Sequence, residues 1–153
     1  MHRYSVQLEW TGNLGPGTSS YRAYSRDHLV RAGGKAELAG SSDPAFRGDA
    51  TRWNPEELLV AALSQCHLLA YLHLAATAGV IVCEYRDDAV GELELNRDGT
   101  GRMRSVELRP RVVVAAPDQL ERAQRLHEPA HHNCFIAASV NFPVTCVPTA
   151  TSP

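Results

Sequence analysis

Residues Asn54 to Gly79 read NPEELLVAALSQCHLLAYLHLAATAG, and the rest of the chain is arranged around them. Asn54 is a favoured helix cap, Pro55 suits the first helical position, and Glu56 and Glu57 face the positive end of the helix dipole. Gly79 suits the left-handed turn that ends a helix. Between them Leu59, Ala62, Leu63, Cys66, Leu69, Ala70 and His73 recur every three or four positions. That spacing predicts a long helix whose apolar face carries Cys66 at its middle. A cysteine so placed is ordinarily an inert small hydrophobe, so any chemistry must come from its surroundings.

Working outward, no charged residue occurs from Leu58 to Cys83, a run of 26 positions. Such a run is long enough to raise a membrane span. Ser64, Gln65, His67, His73 and Thr77 interrupt it and Gly79 splits it, so it reads instead as a buried core helix feeding a buried strand. The 153 residues suit one domain with a real core. With 44% hydrophobic and 21% charged residues, the composition is that of a soluble globular protein. A net charge of −2 gives no reason to expect nucleic acid or an anionic membrane as partner. Met1 to Trp10 holds no apolar run of the secretory kind, which predicts a cytoplasmic protein with reduced thiols.

Upstream of the helix, Tyr4, Val6, Leu8 and Trp10 alternate with polar residues and predict a half-buried strand. Ser20–Ser25 reads as a second strand and Asp27–Arg31 as a third. Leu38 to Trp53 reads as a long polar loop with Arg47 near its middle, and loops of that length are often functional. Downstream, Val80–Cys83 begins a strand, and Asp98-Gly99 marks a hairpin turn. Val106, Leu108, Val112 and Val114 form the return strand, with Pro110 signalling an edge or a bulge. Pro117 starts a second helix that ends or kinks near Glu128, ahead of Pro129. A short helical continuation carries His131, His132, Asn133 and Cys134. Val140, Phe142, Val144 and Cys146 alternate as a last strand, and Thr149–Pro153 reads as a frayed tail. Hairpins with two separated helices predict an α+β fold with antiparallel sheet, in a single domain over residues 1–153.

Four cysteines are present and no C-x-x-C pair, which argues against a zinc ribbon or a thioredoxin motif. Cys83 and Cys146 read as core residues of strands. Cys66 and Cys134 each sit on a predicted helix beside polar groups, and two such cysteines on packed helices can form a reversible disulfide. A reactive cysteine must be a thiolate, and a thiolate needs a nearby cation. Cys66 is mid-helix, so an arginine on a loop is the natural supplier: Arg47, Arg22 or Arg26. A carboxylate such as Glu56 can hold that arginine. A rival constellation is His127, His131, His132 and Cys134, in which the first two histidines have zinc-ligand spacing with Pro129 between them. No G-x-S-x-G elbow supports a serine hydrolase.

NPEELLVAALSQC resembles the signature of the OsmC/Ohr family of thiol-dependent hydroperoxide reductases, in which an N-P-E-[EQ]-L stretch precedes a cysteine ten residues after the glutamate. Here Glu56 and Cys66 are ten apart. The family's second cysteine follows A-H-x-x-C, and Ala130-His131-His132-Asn133-Cys134 matches it. The OsmC branch carries its arginine in the loop before N-P-E, where FRGDATRWNPEE places Arg47. The Ohr branch carries it nearer the N-terminus, at Arg22 or Arg26. Many members follow the second cysteine with Pro and, two positions later, Ser, whereas this chain has Phe135-Ile136-Ala137.

The resemblance implies an OsmC-like fold and reduction of organic hydroperoxides. Cys66 would form a sulfenic acid, Cys134 would condense with it to a disulfide, and a lipoyl-type dithiol would restore both. It also implies Arg47 as the activating cation, Glu56 as its holder, and no metal or organic cofactor. The alternatives are a non-catalytic relative binding an apolar ligand or a thiol metabolite, and a metal-binding protein. Glu56 and Cys66 stand about 15 Å and about 80° apart on a continuous helix, so one chain does not easily bring both into one site. That geometry, with the all-apolar helix, predicts an intertwined homodimer, as the resemblance also implies.

Overall fold

The computed structural model describes residues 1–153, which divide into two units, Met1–Leu58 and Leu59–Pro153. In the first, β1 (Gln7–Trp10), β2 (His28–Arg31) and β3 (Leu38–Gly40) form an antiparallel meander in that order. Leu8 faces Val30 and Leu29 faces Ala39. β1 is not half-buried as its alternation predicts: all four residues are exposed in the single chain. Ser20–Ser25 is not a strand but a run of turns. It is pinned by Arg26, whose guanidinium donates to the Tyr21 and Tyr24 carbonyls at 2.6 Å each and stacks on both rings. The alternation of SYRAYS therefore serves an arginine clamp, not a sheet.

The stretch from Leu38 to Trp53 is more ordered than a loop. It contains β3, a bridge from Gly40 to Trp53, and a 3-10 turn over Pro44–Phe46. Asp43 Oδ1 caps that turn by accepting from the Ala45 amide at 2.7 Å. Arg47 ends it in the left-handed region at φ 65°, the one non-glycine residue with positive φ.

α1 (Pro55–Thr77) begins in the first unit and continues through the second. Its start is a reciprocal capping box: Asn54 Oδ1 accepts from the Glu57 amide at 2.8 Å, and Glu57 Oε2 accepts from the Asn54 amide at 3.2 Å. Its end is a Schellman turn in which Gly79 has φ 70° and the Val80 amide donates to the Ala75 carbonyl. By length and composition α1 also satisfies the requirements of a membrane span. Its Leu63, His67, Tyr71 and Ala75, however, are buried inside the chain. The buried face shares only Leu63 with the one the periodicity selects: Leu69 is 65% exposed and His73 is exposed. A helix apolar on nearly every side gives its spacing no means of choosing the inward face.

In the second unit α1 is followed by β4 (Val82–Asp87), β5 (Val90–Leu95), β6 (Gly101–Leu108) and β7 (Pro110–Val114). α2 (Leu120–Arg125), α3 (His127–His132), β8 (Val144–Cys146) and β9 (Thr149–Thr151) complete it. Two three-stranded sheets result, ordered β4-β7-β9 and β5-β6-β8, each with one antiparallel and one parallel pair. The α+β class stands, but the sheets are mixed, not purely antiparallel. The predicted return strand is two strands: Pro110, lacking an amide hydrogen, opens β7, and the chain passes from one sheet to the other at that point. The tail predicted to fray supplies β9. Pro129 sits third in α3, where no helical amide donor is needed, so the helix breaks at Leu126, earlier than Pro129 suggests.

Two apolar clusters fill this unit. Tyr71, Ala75, Val80, Val112, Val114, Ala123 and Ala130 form one, and Leu63, Val106 and Leu108 form the other. Cys83, predicted as core, is exposed. The β4–β7 register shifts between Val82 and Glu84, and this bulge turns Cys83 outward.

Candidate active site

Cys66 lies in the fourth turn of α1 and Cys134 just beyond the C-terminus of α3, 68 positions later. The structure sets the two thiols near enough for Cys66 to bear on the protonation of Cys134. Cys66 is half-buried and Cys134 is 2% exposed. Burial first, and the contact with Cys66 second, push the Cys134 thiol up to about 11. Cys134 therefore keeps its proton near neutrality. The Ala137 amide donates to Cys134 Sγ at 3.3 Å and fixes the sulfur from the other side. That amide belongs to the Phe135-Ile136-Ala137 segment in which the sequence departs from the common family pattern.

Glu56 occupies the first turn of α1, three turns before Cys66. Arg47 is exposed and, with Glu56 in the same unit, makes no ion pair. Neither of the other arginine candidates is better placed by its own contacts. Arg26 is committed to the tyrosine clamp, and Arg22 is exposed.

Sequence reasoning missed a second cluster in the same unit as the cysteines. His67 from α1, His127 from α3 and Cys146 from β8 converge, their ligand atoms within 4.8 Å of one another. His67 Nε2 and His127 Nδ1 are 3.0 Å apart. Cys146 Sγ lies 3.7 Å from the former and 4.0 Å from the latter. Both rings are buried, and burial lowers each histidine to about 4. Burial likewise raises the Cys146 thiol to about 11. Tyr71 stacks on His127 at 4.1 Å between centroids. The outer nitrogens, His67 Nδ1 and His127 Nε2, have no hydrogen-bond partner, nor has the buried Tyr85 hydroxyl. The strand alternation predicts Cys146 to be a core residue without chemistry, and the zinc-ligand spacing falls between His127 and His131. The structure turns His127 toward His67 instead. The only signal in the sequence was the adjacency of His67 to Cys66.

Residues 48–148 match the OsmC-like protein family. This chain belongs to that family. An OsmC-like protein of unknown function from Vibrio cholerae is 33% identical, with a TM-score of 0.86 over 97% of this chain and 99% of that one. An organic hydroperoxide resistance protein OsmC from Legionella pneumophila shares the fold at 15% identity, with a TM-score of 0.71 over 99% and 98% of the two chains. A putative organic hydroperoxide resistance protein from V. cholerae, with captopril bound in one of its active sites, shares it at 24% identity and a TM-score of 0.67 over 98% and 92%. No curated protein matches the chain. The OsmC-like assignment rests on the family match and on the 33% relative, and the other two likenesses establish the fold.

Proposed function

We propose that this OsmC-like protein is a thiol-dependent peroxidase that reduces organic hydroperoxides in the cytoplasm. The nearness of Cys66 to the buried, protonated Cys134 carries the reading. A thiolate at Cys66 attacks the distal peroxide oxygen; the O–O bond breaks, the alkoxide leaves and is protonated to the alcohol, and Cys66 becomes a sulfenic acid. The Cys134 sulfur then attacks Cys66 sulfur and expels water, forming the disulfide. A lipoyl-type dithiol reduces that disulfide and is itself oxidised. Before reaction, the Cys134 S–H stabilises negative charge on Cys66; after it, the same group is already in place to resolve the sulfenic acid.

The cation that the thiolate requires is assigned to Arg47 and its holder to Glu56, from whichever copy of the chain reaches the sulfur. Apolar surface supports a homodimer. Tyr4 and Val6 ahead of β1, Leu8 within it, and Leu69 and Leu72 on α1 are exposed in the single chain, more than a soluble monomer normally leaves uncovered. The mechanism calls for no metal or organic cofactor. The test is peroxide consumption driven by dihydrolipoamide, comparing cumene and tert-butyl hydroperoxides with hydrogen peroxide. Faster turnover of the organic substrates is expected. Absence of dithiol-dependent turnover with any of the three would leave a non-catalytic binding protein as the reading.

A further inference from the structure

We infer that His67, His127 and Cys146 form a binding site for a borderline divalent cation, zinc foremost, separate from the Cys66–Cys134 pair. The three residues come from three different elements and present exactly one ligand atom each to a common centre. A tetrahedral zinc ion holds nitrogen at about 2.0 Å and sulfur at about 2.3 Å, so its ligand atoms stand about 3.3 Å apart for two nitrogens and about 3.6 Å for nitrogen and sulfur. The separations here are 3.0, 3.7 and 4.0 Å. The triangle is therefore close to the one zinc requires before any side chain moves.

The polar chemistry of the cluster points the same way. Two neutral imidazoles facing nitrogen to nitrogen can share only one proton, and a thiol is a weak third partner. A cation at the centre engages all three lone pairs at once. Soft thiolate with imidazole is the donor set that selects zinc over magnesium or calcium. Asp87, whose charge is felt by both His67 and Cys146, adds an anion nearby. Its carboxylate is held by the Ser64 hydroxyl at 2.5 Å and the Arg109 amide at 2.7 Å. A cavity of about 330 Å³ has His127 and Cys146 in its wall, and it is the route by which a cation from solvent would enter. On binding, the Cys146 thiol proton passes to solvent and the sulfur coordinates as thiolate.

The test uses the untagged full-length protein, reduced and stripped with a chelator, and titrated with cobalt(II). The expected result is one cobalt per chain, with the strong visible bands of a tetrahedral ion and a thiolate-to-cobalt charge-transfer band, all displaced by zinc(II). Cys146→Ser should remove the charge-transfer band, and His67→Gln should weaken binding at least tenfold. The double variant Cys66→Ser/Cys134→Ser, which removes the peroxidase thiols, should keep the full spectrum, so the metal site and the peroxidase reading fail independently. X-ray absorption on the zinc-loaded wild-type protein reads the ligands without any substitution, and one sulfur with two imidazole nitrogens is expected. Failure of the folded wild-type protein to bind cobalt, a band that survives Cys146→Ser but is lost with Cys66 and Cys134, or a zinc shell with no sulfur would overturn the proposal.

Discussion

At Arg47 the backbone is held where an L-residue with a side chain is disfavoured, at φ 65°. Strain of this kind costs of order 1–3 kcal/mol and collects at functional positions. Arg47→Gly is therefore expected to leave the thermal midpoint unchanged or raised while peroxide turnover falls by roughly 100- to 1000-fold. A simultaneous fall in the melting temperature would show the arginine to be structural. Cys66→Ser is expected to abolish peroxide consumption, because the thiolate is the nucleophile. Cys134→Ser should complete one turnover and leave a sulfenic acid on Cys66 that dimedone traps. Normal turnover by either variant would remove that cysteine from the mechanism. The buried histidines give a pH prediction. Each titrates near 4 in the fold against 6.5 ordinarily, so below 6.5 the unfolded chain binds protons that the fold refuses. With chelator present, the stability the two histidines confer should be constant above pH 6.5 and be lost between 6.5 and 4, by at most about 1.4 kcal/mol per pH unit for each ring. Urea midpoints flat across that window would show that the rings are not buried in solution.

Among the elements, α1 was the most legible from sequence, because its caps are local: Asn54, Pro55 and Gly79 act on backbone groups within a turn of themselves. Its inward face was not legible, since an evenly apolar helix carries no moment to read. The β6–β7 division escaped notice because alternation continues across Pro110, and only the partners, β5 for one and β4 for the other, separate the strands. Cys66 and Cys134 could be picked out by their helices and motifs. The cluster of His67, His127 and Cys146 could not, because its members are brought together by packing across 79 positions of chain. Where α1 meets β5, Gly91 sets the approach: a Cβ there would stand 2.5 Å from Val60 Cγ2 and 2.7 Å from Met103 Cε. Gly91→Ala is expected to destabilise by about 1–3 kcal/mol through overpacking. Chemical denaturation would measure this, and an unchanged midpoint would mean that β5 can slide away from the helix.

For the whole molecule, the exposed apolar residues of β1 and α1 require a cover, and a second copy of the chain is the cover proposed. Sedimentation at assay concentration should give twice the 16.7 kDa of one chain, and a fully active monomer would defeat the dimer. The parallel pairings bear on how the chain is made. Val106 waits for Val144 and Arg111 for Thr149, in both cases a partner 38 positions further along. During synthesis the β5–β6 hairpin and the β4–β7 pair that encloses it in sequence can close early, at the pace of a ribosome adding roughly 5–20 residues per second. β6 and β7 nevertheless present open hydrogen-bonding edges until residues 144 to 151 have cleared the exit tunnel. For those seconds the nascent protein is a pair of unfinished sheets, open to chaperones and to neighbouring nascent chains alike.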